Sequence, residues 1–98
     1  KGLTSIEGIR VGHATDLEGI TGCTVVLCES GAIGGVDVRG SASGTQEIGV
    51  LDPMHITSKV HGIVLSGGSA FGLEAACGVR RYLEARGVGF EVRGARVP

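Results

Sequence analysis

Residues Leu65-Ser66-Gly67-Gly68-Ser69-Ala70-Phe71-Gly72 join an apolar strand pattern to the best helix pattern of the chain. The run His61 to Leu65 predicts a short buried strand that ends in small residues. Small and apolar residues then recur at i, i+4, i+7 and i+11, on one face of a helix: Gly72, Ala76, Val79 and Leu83. We expect Ser69 to be the N-cap of this helix and Gly87 to end it.

Upstream of this junction, three further strands and one short helix are predicted. Ile9 to His13 and Thr24 to Leu27 have the apolar character of strands, and Ala32 to Arg39 forms a third candidate with a bulge at its paired glycines. Residues 40–44 are small and polar, which predicts a loop, and Met54 to Val60 follows as a short helix. After the long helix, Phe90 to Val92 suits one more strand. This order allows either an α/β sheet or an α+β sandwich, and the pattern alone does not choose between them.

Composition limits the chain to one domain of modest core size. It has 98 residues, a net charge of −1 and 19 glycines without a collagen-like period, which indicates many tight turns and close backbone contacts. Basic residues are scattered, so we expect no nucleic-acid partner. No apolar run is long enough to span a bilayer, and the first residues do not resemble a signal peptide. The sequence therefore predicts a cytoplasmic protein without a membrane partner.

The metal-binding residue types show no ligand pattern. His13, His55 and His61 lack the spacing of a metal site and are expected to be structural. Cys23 and Cys28 lie five positions apart in one predicted strand, Gly22 to Glu29, whose apolar centre is Thr24 to Leu27, and this spacing puts them on opposite faces. Together with Cys77 they make an odd number of cysteines, so a disulfide framework is not expected. We predict no metal and no cofactor.

The turn after the strand is the most promising place for chemistry. A strand that runs into a helix start presents free backbone N–H groups, which suit a carboxylate, a phosphate or a developing oxyanion. The turn fits neither a dinucleotide fingerprint, because position 69 is Ser69, nor a nucleophile elbow, because position 71 is Phe71. From the residues alone, a purely structural turn with an ordinary serine cap is a somewhat better interpretation than a functional site.

Five blocks of the sequence occur in a consistent order: Ile6 to His13, Thr21 to Leu27, Gly35 to Gly40, Gly44-Thr45 with Leu51-Asp52-Pro53, and Leu65 to Leu73. Together they resemble the N-terminal part of the DmpA-type aminopeptidases. That family includes L-aminopeptidases with D-esterase activity, β-peptidyl aminopeptidases and nylon-oligomer hydrolases. Each block alone is weak, but five in register are specific.

The resemblance implies a four-layer αββα sandwich, of which residues 1–98 form an N-terminal portion that is incomplete without a C-terminal segment. It also implies a precursor that cleaves itself, so that a serine or threonine at the new N-terminus becomes the nucleophile. That residue would lie beyond Pro98, and no catalytic residue is assigned within this chain. The expected partners are therefore the C-terminal segment, a peptide or amide substrate and further copies in a homo-oligomer.

The residues expected to contact substrate are those of the strand-to-helix turn: Ser66, Gly67, Gly68, Ser69 and Phe71. The position of Phe71 is tyrosine in some similar proteins, where a hydroxyl could help to hold an oxyanion. Phe71 itself can offer only an apolar wall. Two other functions remain open on the sequence, namely a non-catalytic assembly fragment and a small anion- or phosphate-binding module that uses the Gly67-Gly68-Ser69 turn.

Overall fold

The computed structural model describes all 98 residues as one antiparallel sheet with a helix on one side and a small C-terminal hairpin. The sheet has the order β1 (Ile9–Asp16), β2 (Thr21–Ala32) and β3 (Val60–Ser66). Helix α1 spans Ala75–Ala85, and the hairpin consists of β4 (Phe90–Val92) and β5 (Ala95–Val97). Short 3-10 helices occupy Leu3–Ser5, Ile48–Leu51 and Ser69–Glu74. This mixed arrangement is compatible with the α+β class.

Strands β1 and β2 form a long hairpin that runs in register from the Ile9–Cys28 pair to the Asp16–Thr21 pair. Because side chains alternate along a strand, Cys23 and Cys28 lie on opposite faces of the sheet. The predicted strands Ile9 to His13 and Thr24 to Leu27 are confirmed, and both are longer than their apolar cores suggested.

Helix α1 packs closely on one face of the sheet because glycine occupies the contact point on β3. A Cβ at Gly62 would lie 3.2 Å from Cδ2 of Leu27, 3.5 Å from Cγ1 of Val79 and 3.7 Å from Cδ1 of Leu83. Leu83 is the most buried residue, with 2% of its surface exposed. The predicted apolar stripe of the helix therefore faces the sheet. The helix has 11 residues, and no helix of the structure is long and apolar enough to cross a membrane.

An ion-pair network fixes the C-terminal end of α1 to the sheet. Arg86 contacts both carboxylate oxygens of Glu29, with Nη2 3.1 Å from Oε2, and Arg10 Nη1 donates to Glu29 Oε1 at 3.1 Å. Arg10 also donates to the Tyr82 hydroxyl at 3.3 Å, and the guanidinium carbon of Arg86 lies 5.5 Å from the centre of the Tyr82 ring. Gly87 follows with a φ of 72°, which ends the helix as predicted.

The opposite face of the sheet is apolar and uncovered. Ile63 and Leu65 on β3 are 54% and 63% exposed, and Ile63 lies beside Val26 of β2. The chain itself thus forms two layers, the three-stranded sheet and the helix. The hydrophobic effect disfavours an exposed apolar sheet face of this kind.

The prediction of a third strand over Ala32 to Arg39 is wrong. Ala32 is the last residue of β2, and residues 33–39 pair with no strand. Ile33 is 90% exposed, so the apolar residues that suggested a strand have no sheet neighbour to pack against. A strand requires a partner for its backbone groups, and local alternation cannot supply one.

Two helix predictions also differ from the structure. Met54 to Val60 is not a helix: the Asp52 side chain accepts the Met54 N–H at 2.9 Å in a turn, and β3 begins at Val60. Ser69 is not an N-cap, since it makes no capping hydrogen bond and has a φ of 58°. An N-cap requires extended backbone, whereas Gly68 and Ser69 both have positive φ and lead into a 3-10 turn before α1 begins.

Candidate functional site

An open cleft of about 430 Å³ lies between the tip of the β1–β2 hairpin and the start of the helical segment after β3. Its volume falls in the range of small-molecule pockets. The hairpin, the strand-to-helix turn and the helical segment all contribute to its lining: Ala14, Thr15, Asp16, Thr21, Gly22, Cys23, Ser66, Gly67, Gly68, Phe71, Gly72 and Ala75. The sequence thus brings two distant segments, residues 14–23 and 66–75, to one surface.

Backbone contacts hold the turn against the hairpin. The N–H of Gly67 donates to the Gly22 carbonyl at 3.0 Å, which extends the β2–β3 pairing one residue past β3. A Cβ at Gly67 would lie 2.7 Å from Oγ1 of Thr21, so only glycine fits this approach. The Ser66 hydroxyl donates to the Gly67 carbonyl at 3.0 Å. These contacts hold the turn against the hairpin at the edge of the cleft.

Glycine at position 68 has a different role. Gly68 has a φ of 96°, a left-handed conformation that other residues rarely adopt. A Cβ there would meet the Cα of Gly72 at 3.3 Å. Substitution of Gly68 would therefore disturb the backbone of the turn itself, and not only the space available to a ligand.

The predicted substrate-contacting residues divide into two groups. Ser66, Gly67, Gly68 and Phe71 line the cleft, and Phe71 is 90% exposed at its rim. Ser69 is not among the lining residues. The structure adds Ala14, Asp16 and Cys23, which sequence reasoning did not identify.

These added residues could have been found only from the pairing of the strands. Ala14 pairs with Cys23, and Cys23 pairs with Ser66, so all three share the face on which the cleft opens. Asp16 is the only charged residue of the lining, and Ala14, Phe71 and Ala75 make much of the remaining wall apolar. The cleft therefore suits an apolar group, and its charge does not favour an anion.

The histidines of the sheet have structural environments. His13 Nδ1 lies 2.8 Å from the hydroxyl oxygen of Thr24, its partner across the hairpin, on the face opposite the cleft. Burial lowers the pKa of His61 below its ordinary value of 6.5, and the nearby charge of Lys59 contributes. No histidine lines the cleft, so the cleft hydroxyls have no histidine base beside them.

Comparison with known proteins extends over nearly the whole chain. An uncharacterized aminopeptidase of Mycobacterium leprae is 42% identical over 104 aligned residues, which cover 98% of this chain and 29% of the relative. A second uncharacterized aminopeptidase, from Mycobacterium tuberculosis, has the same identity and coverage of this chain, and 30% of it is covered. A 6-aminohexanoate-oligomer endohydrolase of a Kocuria species is 43% identical over 72 residues, or 74% of this chain and 18% of that enzyme.

The chain thus spans less than a third of the length of these curated relatives. The family model described as peptidase family S58 matches residues 1–96. This match includes both segments that form the cleft. The chain therefore belongs to peptidase family S58, the DmpA family.

Proposed function

We propose that this chain forms one wall of the substrate cleft of a hydrolase that cleaves N-terminal peptide or amide bonds, and that a further part of the same polypeptide supplies the nucleophile. The observation that carries the proposal is the cleft, because the turn Ser66 to Gly68 and the ring of Phe71 edge one open pocket. The names of the relatives, aminopeptidase and 6-aminohexanoate-oligomer endohydrolase, support amide-bond cleavage.

The nucleophile in this proposal is a serine or threonine freed by self-cleavage of the precursor, with its own α-amine as base. Its hydroxyl oxygen attacks the carbonyl carbon, the amine leaves with a proton, and water then hydrolyses the acyl-enzyme. The hydrogen bonds of two hydroxyl groups of this chain support a nucleophile located elsewhere in the polypeptide. Ser66 donates to a backbone carbonyl, and Thr24 pairs with His13 away from the cleft.

The exposed sheet face supports an αββα sandwich for the complete polypeptide. In that fold, a second sheet would cover Ile63 and Leu65, which are exposed here. Two sheets packed face to face remove such apolar surfaces from water. A homo-oligomer and a cytoplasmic location remain predictions from the sequence.

The experiment compares the complete polypeptide with the 98-residue chain. Intact-mass measurement should find two fragments, with serine or threonine first in the C-terminal one, and the processed protein should hydrolyse aminoacyl p-nitroanilides. The 98-residue chain alone should be inactive. An active isolated chain would place the nucleophile within residues 1–98, and an inactive, fully folded complete protein would favour the assembly-fragment alternative.

A phosphate-binding module is less well supported. The cleft contains one carboxylate, that of Asp16, and no lysine or arginine. A bound phosphate would meet a like charge there without a basic partner. Binding of inorganic phosphate, measured by calorimetry, would nevertheless favour that alternative over hydrolysis.

A further inference from the structure

The cleft is one end of the layer between the sheet and helix α1. Cys23 and Leu27 lie four residues apart on β2, as do Gly62 and Ser66 on β3, so all four positions face the same side of the sheet. Cys23 and Ser66 line the cleft, together with Ala75, the first residue of α1. The cleft therefore continues the space that α1 fills farther along the sheet.

Large side chains fill this layer at one end of α1, and small ones leave it open at the other. Ala75, Val79 and Leu83 recur at i, i+4 and i+8, so they share the face of α1 that packs on the sheet. A Cβ at Gly62 would lie 3.5 Å from Cγ1 of Val79 and 3.7 Å from Cδ1 of Leu83, and Leu83 is buried. Ala75 has only a methyl group, and the space that a longer side chain would fill is part of the cleft.

The sheet side of the cleft is also made of small residues. Ala14 of β1 pairs with Cys23, and Cys23 pairs with Ser66, so three short side chains lie in one row across the three strands. Ala14 and Ala75 contribute one methyl group each to the lining, from the strand side and the helix side. The room in the cleft therefore results from the size of the side chains on both walls.

We propose that Ala14 and Ala75 determine the size of the substrate group that the cleft accepts, and that this group is a branched aliphatic side chain. The inference rests on the proposed hydrolase function and adds the substrate class, an amide whose acyl part carries a leucine-like side chain. The walls are apolar and short, so a large apolar group fills space there that the protein leaves empty. Each methylene group buried in this way strengthens binding about fourfold.

The substitution Ala75→Leu in the complete polypeptide tests this role, because it puts a leucine side chain into the space assigned to the substrate. The measured quantity is kcat/KM for leucyl p-nitroanilide divided by kcat/KM for alanyl p-nitroanilide. Both values come from one protein sample, so their ratio does not depend on the fraction that is folded. The ratio should be about ten or more in the unsubstituted enzyme, and Ala75→Leu should lower it about tenfold.

A second variant fills the cleft from the opposite wall. Ala14→Val should also lower the ratio, and valine suits a strand, so this variant covers the case in which Ala75→Leu fails to fold. The matched control is Ala85→Leu, at the exposed far end of α1, which should leave the ratio unchanged. An unsubstituted enzyme without a preference for leucyl, an unchanged ratio in either folded cleft variant, or an equal fall in Ala85→Leu would overturn the proposal.

Failure of the hydrolase proposal has a different outcome. If the unsubstituted complete polypeptide hydrolyses no aminoacyl amide, the proposed function fails, and calorimetric dissociation constants for leucinamide and alaninamide then replace the kinetic ratio. Tighter binding of leucinamide than of alaninamide, with loss of this preference in Ala75→Leu but not in Ala85→Leu, would support the size-selective cleft. Equal affinity for the two amides, or no binding of leucinamide, would refute it.

Discussion

The Cα of Gly72 lies directly against the carbonyl oxygen of Gly67, so that a Cβ at position 72 would overlap that oxygen. The Gly72 N–H also donates to the Gly68 carbonyl at 3.1 Å. This contact presses the first helical turn onto the turn that edges the cleft. Glycine at position 72 is therefore a steric requirement of the site, although its place in the helical pattern suggested only close packing on a sheet.

Gly72→Ala should destabilise the complete polypeptide by about 1–3 kcal/mol, because the backbone must move to admit the methyl group. The matched control is Gly78→Ala in α1, where a Cβ would meet no atom within 4 Å. That variant should gain about 0.5–1 kcal/mol from the lower backbone entropy of alanine in the unfolded chain. Thermal melts measure both, and equal melting temperatures would contradict the close contact.

The Glu29 ion pairs predict a loss of stability in acid. The hydrogen bond from Arg86 lowers the pKa of Glu29 below its ordinary value of 4.5, and the charges of Arg86 and Arg10 contribute in the same direction. Because the folded-state pKa is the lower one, the unfolded chain binds the proton more readily. The stabilisation is present above pH 4.5 and is lost as the pH falls through the folded-state pKa.

Glu29→Gln should therefore reduce Tm slightly at pH 7 and weaken its fall below pH 4.5. The effect is small because the side chains of Glu29 and Arg86 are 26% and 46% exposed. Glu84→Gln is the control, since Glu84 lies near Arg86 in sequence without forming an ion pair. Identical pH profiles for all three proteins would show that the network does not stabilise the fold.

The predictable parts of this fold were those with strong local signals. The apolar run at Thr24 to Leu27 and the run at His61 to Leu65 both became strands, and Gly87 ended the helix. Residues 33–39 had similar alternation but no strand partner, and pairing between distant segments is not visible in local pattern. The prediction that Ser69 is an N-cap was wrong for a related reason. The contact between Gly67 and Gly72 constrains the backbone conformation of this turn, and a local cap pattern does not reveal that contact.

Only part of the candidate site could be predicted from the sequence, for the same physical reason. The turn Ser66 to Gly68 is contiguous, so its composition drew attention to it. Ala14, Asp16 and Cys23 reach the cleft through strand register, which depends on how β1, β2 and β3 pair. The register could not be fixed because it results from long-range packing rather than from local propensity.

Leu65 should have different energetic roles in the isolated chain and in the complete polypeptide. It is 63% exposed here, and a covering sheet would bury it. Leu65→Ala should therefore cost about 2–5 kcal/mol in the complete polypeptide, as buried leucine truncations do, and should leave the far-ultraviolet circular dichroism of the 98-residue chain unchanged. We also expect the isolated chain to lack a cooperative thermal transition, since only Leu83 is buried.

Leu17→Ala is the control for this comparison, because Leu17 lies in the exposed tip of the hairpin and outside the uncovered face. It should have little effect in either form of the protein. If Leu65→Ala has an equally small effect in the complete polypeptide, no second layer covers this face and the sandwich is wrong.

Phe71 should determine how tightly the cleft holds an apolar substrate group. Its ring is 90% exposed at the rim, so a bound substrate can remove apolar surface from water without moving the protein. Truncation in Phe71→Ala should raise the KM for leucyl p-nitroanilide tenfold or more, from about 1.5 kcal/mol or more of lost burial. Leu17→Ala again serves as the exposed apolar control and should leave KM unchanged.

Phe71→Tyr keeps the ring and adds a donor, so it should retain KM and raise kcat if the hydroxyl reaches the developing oxyanion. An unchanged KM in Phe71→Ala would show that substrate does not contact this rim, and a lower kcat in Phe71→Tyr would place the oxyanion elsewhere.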